Sequence, residues 1–163
     1  MRNKINIVRF IIFELQLRKL NTNISIMKKI EHIGIAVKNM EKANAIYTSL
    51  LGYSSYKTEA VESEGVITSF FKCGDSKIEL LEATNENSPI AKFIEKRGEG
   101  IHHIAFAVTD IETEVKRLKN EGFRVLNEAP KLGADNKKVV FLHPKSSHGV
   151  LVELCEDVNN NEK

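Results

Sequence analysis

The 163-residue chain is short of cysteine, proline and glycine, with 2, 3 and 9 of each. Cys73 and Cys155 lie in or beside apolar runs without C-x-x-C spacing. Neither a disulfide framework nor a thiolate zinc site is therefore expected, and core packing in a reducing compartment is. With so little proline and glycine, and 42% hydrophobic against 28% charged residues, the chain is neither disordered nor fibrous and can bury the core of one domain. No apolar run is long and uncharged enough to span a bilayer: the best, from Ile5 to Leu20, is broken by Arg9, Glu14, Arg18 and Lys19. Charge of one sign is also lacking. The 24 basic and 22 acidic residues leave a net +2, too balanced for a protein whose affinity comes from neutralising phosphates, so nucleic acid is not an expected partner.

Residues 1–27 differ from the rest. Arg2, Lys4, Arg9, Arg18 and Lys19 face a single acid, Glu14, among mostly apolar neighbours, the pattern of a basic amphipathic helix. The segment holds one serine, Ser25, and lacks the small-residue cleavage site of a secretory signal. Met27 directly precedes "KKIEHIGIAV", where a domain-like pattern starts. Residues 1–27 are thus expected to be an extension whose first 26 residues are dispensable, 28–157 the domain and 158–163 a polar tail. A cytoplasmic protein follows, or one of an organelle matrix if the extension is a targeting sequence.

Within the domain the chain repeats itself. "HIGIAVKNMEKANAIYTSLLGY" from His32 to Tyr53 matches "HIAFAVTDIETEVKRLKNEGF" from His103 to Phe123. Each has a histidine, a short apolar strand, a polar turn, an amphipathic helix, then glycine and an aromatic residue. Further on, "KIELLEA" around Glu79 echoes "VLVELCE" around Glu153. Module one covers 29–84 and module two 100–157, joined at 85–99 by a polar loop and a short helix beginning at Pro89, a residue tolerated in a first turn.

In each copy the opening strand is apolar on consecutive positions, as in Ile33 to Val37, which predicts burial on both faces. Asn39 and Asp110 are N-caps for the helices. Ala43, Ile46, Tyr47 and Leu50 make the apolar stripe in one, and Ile111, Val115 and Leu118 in the other. Gly52 and Gly122 end them. Candidate strands then flank "CGDS" (Thr68 to Lys72, Lys77 to Leu81) and "PKSSHG" (Val139 to His143, Val150 to Cys155). A further strand is expected before these, near Tyr53 to Thr58 and Phe123 to Leu126. The order is β-α-β-β-β twice, an α+β fold.

Pairing the modules would bring His32, His103, Glu79 and Glu153 together, because the repeat puts the histidines at equivalent strand starts and the glutamates in equivalent late strands. Each could instead be an ordinary strand-end or outward-facing group. Yet four titratable residues interrupt apolar strands at matching places, and carboxylates buried without a cation cost several kcal/mol each. Two imidazoles and two carboxylates suit Zn, Co, Mn, Ni or Fe(II) in an open site. His102 must point to the opposite face if the strand is regular. Lys145, Ser147 and the backbone donors of "PKSS" between His143 and His148 could hold an anionic group, and Lys131, Lys137 and Lys138 could meet a phosphorylated substrate.

The pair "EHIGIAV" and "IHHIAFAV", with the stretches "SPIAKFIEKRGEGIHHIAFAV" and "PKLGADNKKVVFLHPKSSHGVLVEL", resembles the vicinal-oxygen-chelate superfamily, and within it the methylmalonyl-CoA epimerases, over residues 29–156. The resemblance implies two β-α-β-β-β modules in a curved mixed sheet around a divalent metal, with cobalt foremost and Mn, Zn or Ni as alternatives, and a homodimer acting on an acyl-CoA. It makes His32, His103, Glu153 and Glu79 the ligands. The reaction so implied needs a base, for which Glu153 and then Glu79 are our candidates, and Lys131, Lys145 and Ser147, read from the residues themselves, are weaker substrate contacts. The position at which certain bacterial epimerases carry a further proposed base is Thr68 here. Other metalloenzymes of the superfamily remain alternatives, among them glyoxalase I, which typically has a "DPDG"-like turn where this chain has "HPKSSHG", and the longer ring-cleaving dioxygenases. A metal-free binding protein would not be expected to keep all four ligands.

Overall fold

A computed structural model describes residues 27–127 and 129–158; the amino-terminal extension before Met27 and the tail after Val158 lie outside them. The elements, in order, are β1 (Lys29–Ala36), α1 (Met40–Leu51), β2 (Lys57–Val61), β3 (Val66–Cys73), β4 (Ser76–Ala83), α2 (Pro89–Arg97), β5 (Gly100–Ala107), α3 (Ile111–Asn120), β6 (Lys131–Leu132), β7 (Lys137–Leu142) and β8 (Val152–Asp157). They form one mixed sheet of order β2-β3-β4-β1-β5-β8-β7-β6. Within each half the opening strand lies parallel to the last, β1 on β4 and β5 on β8. The halves join where β1 runs antiparallel to β5.

The two-residue strand period separates the faces of this sheet. Phe71 and Leu80 pack with Val37 and Ala43 under α1, and Val140, Leu142 and Leu154 pack with Ile111, Val115 and Leu118 of α3. Their alternates, Val66, Phe70, Glu79, Leu81, Phe141 and Glu153, line a cavity on the other face. The linker helix α2 closes one side of it, Ile90 packing on Ala36, Val66 and Leu81.

The helix starts repeat as closely as the strands do. Asn39 accepts from the Lys42 N–H at 2.8 Å and Asp110 from the Thr113 N–H at 2.9 Å. In each half a glutamate three residues beyond the candidate ligand also reaches a helix start: Glu82 accepts from the Met40 N–H at 2.6 Å, and the buried Glu156 from the Ile111 N–H at 2.7 Å. A carboxylate against a helix N-terminus satisfies an orphan donor and opposes the positive end of the dipole. Glu156→Ala is expected to destabilise the protein by about 1–3 kcal/mol, read as a lower urea midpoint, with Glu156→Gln recovering part of the loss because its amide oxygen still accepts.

Four features differ from the sequence-based expectation. The first-module strand expected near Tyr53 to Thr58 runs over Lys57–Val61, since its ladder with β3 begins only where Lys57 meets Phe70. On α1 only Ala43 is buried, while Ile46 and Leu50 are 64% and 71% exposed; the face on the sheet runs through Met40, Ala43, Tyr47 and Leu51. Residues Arg124 to Leu126 do lie along β7, but as a single bridge between Val125 and Leu142. The Asn127 side chain then takes the Phe141 N–H at 2.9 Å and ends the ladder, so the edge strand is Lys131–Leu132. Finally, Cys73, the last residue of β3 at the hairpin turn, is exposed, whereas Cys155 is buried as expected.

Candidate functional site

Regular alternation along β1 would send Glu31 and His32 to opposite faces. Instead the β1–β5 register slips between Ile30 and His32, and both residues are buried and line the cavity. A second slip falls where Gly34 pairs with His103 and Ile35 with Ile101, leaving His102 unpaired between them. His102 and His103 therefore also line the cavity together. That corrects the expectation that His102 faces away: the period-two rule fails where a strand gains a residue. Gly34 lies directly beneath the His103 ring, and a Cβ there would collide with it.

On the floor of this cavity of about 310 Å³, the His32 and His103 Nε2 atoms approach to 2.9 Å. Glu79 Oε2 lies 3.2 Å from the first and 3.5 Å from the second. Glu153 reaches His103 Nε2 at 3.4 Å and His32 Nε2 at 3.9 Å. One donor atom each from His32, His103 and Glu153 lies within 4.8 Å of the others. Two imidazole nitrogens and two carboxylates turned inward on rigid strands fit a first-row divalent ion. Glu31, His32 and Cys155 also cluster, but Glu31 is engaged by Lys77 and burial pushes the Cys155 thiol far above its usual range.

The charges around this floor are unequal. Burial acts against the His32 imidazolium, but hydrogen bonds to Glu31 and Glu79, with the charges of Glu79 and Glu153, outweigh it and raise its pKa to about 10. Burial would raise Glu79, yet both histidines hold its carboxyl down at about 2. Glu153 goes the other way: burial dominates and its carboxyl titrates above the ordinary range. In the metal-free protein it is thus the more basic of the two glutamates. Because His32 is raised when folded, its contribution to the metal-free protein is full below about pH 6.5 and is lost as pH rises toward 10. The Tm of chelator-treated protein is therefore expected to fall by several degrees between pH 6.5 and 9.5, and this fall is expected to flatten in His32→Gln.

Of the weaker candidates, Lys131 lines the cavity, its Nζ 2.5 Å from Glu64 and 5.6 Å from the Phe141 ring centre. Lys145 and Ser147 belong to the turn that begins at Pro144, outside the lining; the Lys145 N–H donates to His143 Nδ1, and the Ser147 hydroxyl to the Val150 carbonyl. Thr68 is buried in the wall with its hydroxyl toward the Glu59 carbonyl at 3.3 Å. Sequence reasoning missed Glu31. Its carboxylate binds His32 Nδ1 at 2.5 Å, Lys77 at 2.5 Å and Lys137 at 3.4 Å, and Lys77 passes on to Asp135 at 2.6 Å. The available signal was the repeat, in which Glu31 and His102 hold matching positions just before the paired histidines.

Residues 31–141 match the family model described as the glyoxalase/bleomycin resistance protein/dioxygenase superfamily. The chain is 42% identical to the human mitochondrial methylmalonyl-CoA epimerase over 127 residues, 77% of this chain and 72% of that one. It is 44% identical over 128 residues to the ethylmalonyl-CoA/methylmalonyl-CoA epimerase of Cereibacter sphaeroides, covering 77% of this chain and 96% of the relative. Among solved structures, a variant of the Streptomyces coelicolor methylmalonyl-CoA epimerase in complex with 2-nitronate-propionyl-CoA superposes with a TM-score of 0.77 at 35% identity, over 82% of this chain and 99% of that one.

Proposed function

Since the chain belongs to the glyoxalase/bleomycin resistance protein/dioxygenase superfamily, we propose that it is a methylmalonyl-CoA epimerase, interconverting the (2R) and (2S) thioesters. The observation that carries this reading is the meeting of His32, His103, Glu79 and Glu153 on the cavity floor in a chain so similar to epimerases over nearly its whole described length.

The four residues would hold a divalent ion, and cobalt is our assignment. Such an ion supplies Lewis acidity that stabilises charge developing on the thioester oxygen and makes C2 more acidic. Glu153 accepts the C2 proton; the electron pair of the broken C–H bond moves into the enolate, and the carbon becomes planar. Return of a proton to the opposite face gives the other epimer, which calls for two groups or one that moves. Glu79 is the second carboxylate within reach of the centre, and because the histidines hold it ionised in the metal-free protein it would serve the other face only after taking up a proton. Thr68 has no carboxyl to offer, and its hydroxyl is turned to Glu59. The apolar wall of Val66, Phe70, Leu81 and Phe141 excludes water from the enolate.

The acyl-CoA substrate leaves its nucleotide end outside so small a cavity, with Lys131 at the wall as a cationic contact. A homodimer is part of the same reading: Ile46 and Leu50, exposed one turn apart on α1, are apolar groups that a partner covers. Among the described residues no helix is long and apolar enough to cross a membrane, and we place the protein in the cytoplasm, or in an organelle matrix if residues 1–27 target it there. The test is loss of epimerisation after chelator treatment and its recovery with Co²⁺. Full activity in protein shown to be free of metal would overturn the metal assignment, and no epimerisation by folded, metal-loaded protein would overturn the proposal itself.

A further inference from the structure

The two strand slips do more than bring ligands inward: each also places, beside its histidine, the residue that precedes it in the chain. Glu31 Oε2 lies 2.5 Å from His32 Nδ1, and His102 Nδ1 lies 3.0 Å from His103 Nδ1. In a regular strand neighbouring side chains point to opposite faces and neither contact forms. The outer partners are themselves held. Glu31 is gripped by Lys77 and Lys137, at 2.5 and 3.4 Å, and Lys77 by Asp135; the His102 ring stands edge-on to Phe93, with 5.0 Å between ring centres. Both Nε2 atoms are thereby turned toward one another and toward Glu79 and Glu153.

We propose that Glu31 and His102 are positioning residues that hold the Nδ1 atoms of His32 and His103 so that both Nε2 atoms face a divalent ion. The proposal rests on the reading of the floor as a metal centre. An imidazole that gives its Nε2 lone pair to a cation keeps its proton on Nδ1. His32 Nδ1 then donates to the Glu31 carboxylate. His103 Nδ1 donates to His102 Nδ1, which places the remaining proton of His102 on its Nε2. The two halves are alike in geometry and unlike in chemistry: a carboxylate increases the basicity of the ring it binds, whereas a neutral imidazole chiefly orients it. The carboxylate side therefore carries the larger effect.

The test is Co²⁺ affinity by chelator competition, with the visible spectrum of the cobalt-loaded protein, for wild type, Glu31→Ala, Glu31→Gln and His102→Ala. Glu31→Ala is expected to weaken affinity by about 10–100-fold and His102→Ala by about tenfold, each with an altered cobalt spectrum. Glu31→Gln, which keeps an acceptor but loses the charge, is expected to fall between wild type and Glu31→Ala. That graded rescue is not what mere loss of packing produces. Should Glu31→Ala fail to fold because Lys77 and Lys137 lose their buried shared partner, Glu31→Gln and His102→Ala decide the matter. Wild-type affinity and an unchanged spectrum in every folded variant overturn the proposal. A wild-type protein that takes up no cobalt overturns the metal reading beneath it, an outcome distinct from the first.

Discussion

Glu153→Gln is expected to lower kcat for epimerisation by about 10²–10⁴-fold at saturating metal, the usual worth of a positioned acid or base. The argument is a contrast between two carboxylates in one cavity. In the metal-free protein Glu79 lies against both imidazoles and is held ionised, whereas burial raises the Glu153 carboxyl above the ordinary range; with a cation bound, Glu153 serves as base once it loosens from it. A glutamine retains the shape and an oxygen for a cation but accepts no proton. The loss should therefore fall on kcat with metal content and KM close to wild type. Near-normal kcat in metal-loaded Glu153→Gln would remove Glu153 from proton transfer and leave it a ligand only.

His32→Ala and His103→Ala are each expected to weaken metal binding on the order of 10³-fold, about 4 kcal/mol, and to abolish turnover at ordinary metal concentrations. Each removes one of the two nitrogens, leaving a carboxylate-rich set that prefers harder ions. His32→Ala has a second consequence. In the metal-free protein the His32 imidazolium lies between Glu31 and Glu79 and near Glu153, and its removal leaves buried carboxylates without that charge, at a cost of about 3–5 kcal/mol. Chelator-treated His32→Ala should thus melt well below chelator-treated wild type. Equal metal affinity by calorimetry in either alanine variant would show that the ring is not a ligand.

Much of the fold was legible because the repeat made two weak patterns into one strong one. Asn39 and Asp110 cap their helices as read, and β3, β4, β7 and β8 extend or shift the expected strands by only a few residues. The misreadings have physical causes. Ile46 and Leu50 counted toward the apolar stripe of α1, but hydrophobicity alone does not say which residues a sheet covers. Asn127 halts the second-module edge by substituting a side-chain acceptor for a backbone one. At the site, the repeat placed the four inner residues on matching strands, while His102 was read by a rule that does not hold locally and Glu31 was not singled out. Strand slips are set by the pairing of β1 with β5, and nothing in the alternation of either strand alone reveals them. Lys77 and Asp135 were hidden for another reason, since their partnership joins the two modules.

The central claim is that this floor removes the C2 proton of a methylmalonyl thioester. NMR of methylmalonyl-CoA in deuterated water, with metal-loaded and chelator-treated protein, tests it most directly. Metal-dependent deuterium incorporation at C2 with loss of stereochemistry is the predicted result; a C2 proton that stays in place with folded, metal-loaded protein would contradict it.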